Sequence, residues 1–305
     1  FIIQRRHLQS MAQTHHTRYV SIQKELTTAF NTPGSNTAST FVGEVESESF
    51  AMNYDILKRA DMNYYGARAA VTSIETAEGS VSMALQPDAF TIQCIHGIMG
   101  KHVPGSAYTD VGTIEEIAVS ESTALPSFTF RVGRDDKQQV IESISVSASV
   151  GEYAMMTVNS IGASQSDSTD SLETDVPTYT GDAAHFATAY VNFGAAATSS
   201  AKSQLVQSVS FELMAGSGRE VNAGSAAPAI SILFAVDADN YIRFDFFSVI
   251  FEMAQSTVSG RDSQTMTVNF HALYDAGDAN SMMKVTYKTS DSSLDNSGSA
   301  LDLDA

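Results

Sequence analysis

The sequence predicts a mainly β protein built as two related β-sandwich domains in tandem, each with at most a short flanking helix. Two observations carry that reading. Short runs rich in Val, Ile, Phe and Ser alternate apolar and polar residues with period two, and Gly, Asp and Ser clusters separate them. Three patterns also occur twice in the same order. Val45-Glu-Ser-Glu-Ser-Phe50-Ala-Met52 is echoed by Val206-Gln-Ser-Val-Ser-Phe211-Glu-Leu213, and Ser80-Val-Ser-Met-Ala-Leu-Gln-Pro-Asp88-Ala89 by Ala229-Ile-Ser-Ile-Leu-Phe-Ala-Val-Asp237-Ala238. Met156-Thr-Val-Asn159 returns as Met266-Thr-Val-Asn269. The spacing between copies shrinks along the chain, as expected if the second copy has shorter loops. A length of 305 residues suits about two domains.

Residues 1–18 read as a flexible basic N-terminal arm with Arg5, Arg6, Arg18, His7, His15 and His16. Phe1 to Ser10 lacks the apolar core of a signal peptide, and Met11 fits a start preceded either by translated upstream sequence or by a processed leader. The first β domain is expected over 19–163. Val42 to Tyr54 alternates as a strand, Phe50, Met52 and Tyr54 facing one way and Ser47, Ser49 and Ala51 the other. Asp55 to Ala77 reads as a long connection carrying Lys58, Arg59 and Arg68, and Ser80 to Leu85 as the returning strand. Asp88 to Met99 fits a short helix, Asp88 as N-cap or first-turn acid and Phe90, Ile95 and Ile98 on its apolar side. Ser127 to Val132 is a strand. Val140 to Val150 places Ile144, Val146, Ala148 and Val150 on one face and Ser143, Ser145, Ser147 and Ser149 on the other. Gly151-Glu-Tyr turns the chain into Ala154 to Ile161, with Met156 and Val158 inward and Thr157 and Asn159 outward.

The Ser/Thr/Asp-rich stretch 164–182 reads as a linker, and the second β domain is expected over 183–288. In it Val209, Phe211 and Leu213 alternate with Ser208, Ser210 and Glu212, and Ile230 to Val236 is expected to pair with them. Tyr241 to Phe247 matches the first copy's helix or strand. Val249 to Ala254 with Thr265 to Tyr274 forms a closing hairpin around Ser259-Gly-Arg-Asp, Met266, Val268 and Phe270 facing inward. Met283 to Lys288 is a last strand, and 289–305 an acidic tail expected to be mobile.

Composition limits function. Seventeen basic against 35 acidic residues give a formal charge of -18, which disfavours ordinary binding to nucleic-acid phosphates. Cys94 is the only cysteine, so no intrachain disulfide forms; it reads as a small buried hydrophobe. No stretch approaches the roughly 18 consecutive apolar residues of a membrane span. His96, His102, His185 and His271 belong to no nucleophile–base motif, and no catalytic residue is assigned. Asp237-Ala-Asp239-Asn240 lacks the glycine and distal glutamate of a calcium loop, and Gly216-Ser-Gly218 lacks the helix of a phosphate loop, so both read as turns. No metal or cofactor is expected.

Tyr19-Val-Ser-Ile-Gln-Lys-Glu, the strand Val45 to Tyr54, the long loop with Leu57-Lys-Arg-Ala, Gly79-Ser-Val-Ser-Met-Ala-Leu with Pro87-Asp88, and the hairpin Val140 to Asn159 together resemble the tail tube proteins, or major tail proteins, of tailed bacterial and archaeal viruses. The resemblance spans most of Tyr19 to Lys288. It implies a structural virion protein whose sheets join into a β-barrel channel on oligomerisation, its rings stacking into the hollow tail tube through which viral DNA passes during ejection. Two domains per chain imply a homotrimeric ring with pseudo-sixfold symmetry. Implied partners are further copies of the chain, tape measure, terminator and baseplate or tip proteins, and viral DNA passing without specific binding; the implied place is the virion tail, assembled in the host cytoplasm. Lys58, Arg59 and Arg68 become inter-ring contacts, ordinary surface charge being the other reading. Ser143, Ser145, Ser147, Ser149, Thr157, Asn159, Thr267 and Asn269 become lumen lining, an outer solvent face explaining the same alternation equally well. An acidic surface-layer or adhesin-type module is the alternative function. A lectin-like sandwich is disfavoured by the absence of Trp.

Overall fold

The computed structural model describes residues 20–25, 40–60, 67–107, 109–116, 125–133, 135–167, 179–198, 206–214, 228–252, 266–273, 282–296 and 299–304. The basic arm 1–18, most of the expected linker, Gly216-Ser-Gly218 and the turn at Ser259 lie outside these residues. The strands before the helix are β1 (Val20–Lys24), β2 (Thr40–Gly43), β3 (Ser47–Glu48), β4 (Ala51–Ala60) and β5 (Ala67–Ala84). Helix α1 (Ala89–Met99) is followed by β6 (Gly100–Val103), β7 (Gly112–Glu116), β8 (Phe128–Val132), β9 (Asp135–Ser149) and β10 (Met155–Asp167). Then come β11 (Ala189–Phe193), β12 (Ser208–Met214), β13 (Ile230–Ala235), β14 (Tyr241–Phe246), β15 (Val249–Phe251), β16 (Phe270–Ala272), β17 (Met283–Lys288), β18 (Asp295–Asn296) and β19 (Ser299–Ala300). The expectation of a mainly β protein with a short helix holds.

Nine strands form one open sheet in the order β2-β1-β8-β9-β10-β5-β3, with β4 also on β5 and β12 also on β9. β9 is long enough to serve two partners on one edge: its first part pairs with β8 and Ser143–Ser149 with β12. A second sheet has the order β11-β13-β14-β17-β7-β6. Strands from either side of 164–182 therefore share both sheets. β6 and β7 join strands that follow them by more than a hundred positions, and β12 returns to β9 rather than pairing with β13 as expected.

The sheets pack face to face. Phe211 of β12 sets its ring edge-on against Phe244 and Phe246 of β14, at 4.8 and 5.6 Å between centroids. One apolar cluster runs through Ile22, Val81, Met83, Val146, Val158, Ile232, Phe244 and Val285. Helix α1 is buried on every side, the polar Thr91, Gln93 and His96 included. Asp88 caps it, its Oδ1 accepting the Thr91 N–H at 2.9 Å, and Gly100 ends it at φ 90°. Gly97 lets the helix approach β8 and β9: a Cβ there would meet Phe128 at 2.6 Å and Ile141 at 2.8 Å.

Several expectations need correction. Val42 to Tyr54 is not one strand: after β2 the chain breaks, and β3 and β4 then follow β5 in a single register, Ser47 opposite Ser82 and Ala51 opposite Glu78. Between them Phe50 crosses Gly79 to reach Phe130, which any Cβ on Gly79 would block. Within Asp55 to Ala77 the described residues, 55–60 and 67–77, are not a loop but an antiparallel arm made by β4 and β5. Val150 is 64% exposed because it already belongs to the turn after β9. Met266 and Val268 are exposed and precede β16 instead of filling a core. The acidic segment after β17 is packed: Thr289, Asp291, Leu294, Leu301 and Leu303 are buried.

Candidate assembly surfaces

The large sheet sorts its side chains cleanly because its strands are in register. On the inner face, Val81, Val158, Ile144 and Leu213 form one cross-strand row and Met83, Met156, Val146 and Phe211 the next. The opposite face carries the row Ser47, Ser82, Thr157, Ser145 and Glu212 across five strands, flanked by Ser80, Asn159, Ser143 and Met214 and by Ala84, Met155, Ser147 and Ser210. Hydroxyls and amides bond across the strands: Ser82 Oγ lies 3.1 Å from Thr157 Oγ1, and Asn159 Nδ2 donates to Ser143 Oγ at 2.9 Å. The segments 78–84, 143–149, 155–161 and 208–214 contain Glu78 and Glu212 but no Lys or Arg.

Six of the eight residues expected to line a lumen thus share one surface: Ser143, Ser145, Ser147, Ser149, Thr157 and Asn159. Ser143 is mostly buried, and Ser147 is open to solvent. Thr267 and Asn269 are elsewhere, exposed beside β16, where Asn269 Nδ2 donates to Glu252 Oε2 at 2.8 Å. The surface also takes in Ser47, Ser80, Ser82, Ser208, Ser210 and Glu212. Their signal was the same alternation of Ser with apolar residues; what the sequence lacked was the pairing of β12 with β9. Among the described residues neither β12 nor the β3–β4 line has a second partner strand, so the polar face ends in an open edge on each side.

The β4–β5 arm is the second surface. Leu57 pairs with Val71 on one of its faces and Ile56 with Thr72 on the other. Tyr54, Ile56, Leu57 and Val71 are each at least 50% exposed, so apolar groups stand in water on both sides of the ribbon. Lys58 and Arg59 follow toward its tip, exposed and opposite Ala70 and Ala69. Arg68 enters β5 on the returning strand. An isolated two-stranded ribbon is marginal in water, and a cluster of exposed apolar side chains marks a contact site.

Of the histidines weighed for chemistry, His96 and His102 come together, their ring centroids 6.2 Å apart. His96 and His102 are buried beside the segment after β17, and His271 is exposed on β16 with Nε2 3.0 Å from Glu252 Oε1. The hydrogen bonds to Glu252 from Asn269 and His271 hold its carboxyl below the usual range. His185 Nδ1 accepts the Ala187 N–H. Asp237 closes its turn by accepting from Asp239 N and Asn240 Nδ2. Among the described residues no group of three His, Cys, Asp or Glu side chains is placed to hold a metal ion, and no helix is long and apolar enough to cross a membrane. No family model matches the chain, and no curated protein matches it.

Proposed function

We propose that this chain is a structural subunit of a viral tail tube, polymerising into stacked rings around a channel that conducts DNA. The observation that carries the reading is the polar face of the large sheet: Ser, Thr and Asn across five registered strands, without a basic residue, ending in two open edges. Joining β12 of one copy to the β3–β4 line of the next is a head-to-tail contact, the kind that closes into a ring, and it consumes strand edges that otherwise invite aggregation. Such a ring turns the polar face toward its axis. Hydroxyls interspersed with carboxylates offer phosphates no cation to bind and repel them at short range, so DNA slides without being held.

The arm supports stacking. Its apolar faces need cover, and Lys58 and Arg59 put positive charge toward its tip in a molecule of net charge -18, so an acidic surface on the next ring attracts that tip and fixes its register. A doubled domain would give rings of three. Because strands of both halves share each sheet here, one polar face per copy favours rings of six, and rotational averaging decides between the two.

Electron microscopy of the concentrated protein and of native particles containing it tests the reading. Hollow tubes with a regular ring repeat and the Ser143–Ser149 strand at the channel wall are expected. A flat lattice or a solid fibre in native material would overturn it in favour of a surface-layer module.

A further inference from the structure

The segment 291–304 holds Asp291, Asp295, Asp302 and Asp304 and no basic residue, yet it is strapped across the helix. Asp291 Oδ2 accepts the Ala89 N–H at the start of α1 at 2.9 Å, and Leu294, Leu301 and Leu303 are buried. The far end is fastened by polar contacts. Lys24 Nζ of β1 donates to Leu303 O at 2.8 Å. Asp304 bridges His96 Nε2 of α1 at 2.7 Å and the His102 backbone N–H of β6 at 2.9 Å. The Leu303 N–H donates to His102 Nδ1 at 3.1 Å.

That last bond depends on protonation. A ring nitrogen accepts only when it carries no proton, so the single proton of His102 sits on Nε2, 2.6 Å from Tyr287 Oη of β17, on which the ring also stacks. A second proton would convert Nδ1 from acceptor to donor, facing an N–H. We propose that the strap is an acid-released latch: proton uptake at His102 Nδ1 breaks the Leu303 anchor and frees residues 299–304 from α1 and β6, uncovering Leu301, Leu303 and the helix surface beneath them.

Every charged neighbour of the ring bears on the switch. Burial opposes the imidazolium most, and His96 adds repulsion when charged. Asp302, whose Oδ1 is 3.6 Å from Nδ1, and Asp304 favour the imidazolium; the balance holds His102 down to about 4. Tyr287 bonds the opposite nitrogen, and the Lys24 ammonium is engaged by Leu303 O. A released, hydrated ring titrates near 6.5, so the released state binds more protons between about pH 6.5 and pH 4. The latch is therefore intact above that window and weakens as pH falls through it, by at most about 300-fold in the opening equilibrium. Asp302 is placed to accept from the new N–H as Leu303 leaves.

Amide exchange, corrected for its intrinsic pH dependence, reads the latch directly. Between pH 7 and pH 4.5 the Leu301 and Leu303 amides are expected to lose protection by one to two orders of magnitude, about as the linkage allows, while Val146 and Val158 in the core keep theirs. In His102→Asn, whose amide oxygen accepts without titrating, that step is expected to vanish. In Asp304→Asn, which leaves His102 in place, the step should persist from a lower starting protection, so the test survives if the first variant does not fold. Constant strap protection to pH 4.5, an equal step in His102→Asn, loss of the step in Asp304→Asn, or simultaneous loss in strap and core would each overturn the latch. None of these readings depends on whether tubes form.

Discussion

Asp88 shows how one carboxylate is held where carboxylates rarely lie. It is buried at the start of α1, accepts the Thr91 N–H and stands beside Asp291, which receives the Ala89 N–H. Burial pushes its carboxyl up to about 7, against the lowering effect of the Thr91 bonds. The folded state then binds more protons than the unfolded chain between pH 3.8 and about 7, so this residue's contribution to stability is greatest below that window and declines as pH rises through it. Asp88→Asn keeps a capping acceptor without a titrating group. The difference in stability between wild type and Asp88→Asn, from urea midpoints at pH 5 and pH 8, is expected to move in favour of the variant at the higher pH. Asp88→Ala, which removes the cap, is expected to lose about 1 kcal/mol relative to Asp88→Asn at either pH. Equal differences at both pH values would mean that the carboxyl is ionised throughout.

In the proposed tube, the β4–β5 arm is the element on which the contact between rings turns. Reversing its charge in the triple variant Lys58→Glu, Arg59→Glu, Arg68→Glu is expected to shorten or abolish tubes in micrographs while changing the thermal midpoint of the dispersed protein little, since exposed charges contribute little to folding. Tubes of unchanged length and stability would remove the arm from the stacking contact. The arm was not legible as strands because alternation records a buried face against a wet one, and Tyr54, Ile56, Leu57 and Val71 show that neither face of this ribbon is buried within one copy. By contrast the parts of β9 and β10 nearest their shared turn were legible almost residue by residue, since Ile144, Val146, Met156 and Val158 line a core while the serines, Thr157 and Asn159 do not; their far ends, 135–139 and 162–167, were not, and 164–167 was read as linker. Helix α1 was legible through its cap. The strap was misread because Leu294, Leu301 and Leu303 are sparse among acidic and small residues, and the groups that fasten it, Lys24, Ala89, His96 and His102, are about two hundred positions or more away in sequence.

At the scale of the molecule, the repeated patterns and the pairing of strands tell different stories. Val206 to Leu213 echoes Val45 to Met52, and both lie along the same large sheet, at edges on opposite sides of its polar face, rather than in two separate sheets. Phe211 ties that sheet to the smaller one through Phe244 and Phe246, and β6 and β7 tie the smaller one back to the first half. A chain whose halves complete each other's sheets has no place to divide on unfolding, because removing either half strips core from the other. One cooperative transition is therefore expected, with amides of β9 and β10 losing protection together with those of β13 and β14 as urea rises. Phe211→Ala is expected to destabilise by about 3 kcal/mol, toward the lower end for a truncated aromatic because the side chain is only partly buried. That loss should displace the transition equally for both sets of amides, since the ring belongs to both sheets. Two separate transitions, with only one displaced by the substitution, would show that the duplicated sequence still folds as two independent units.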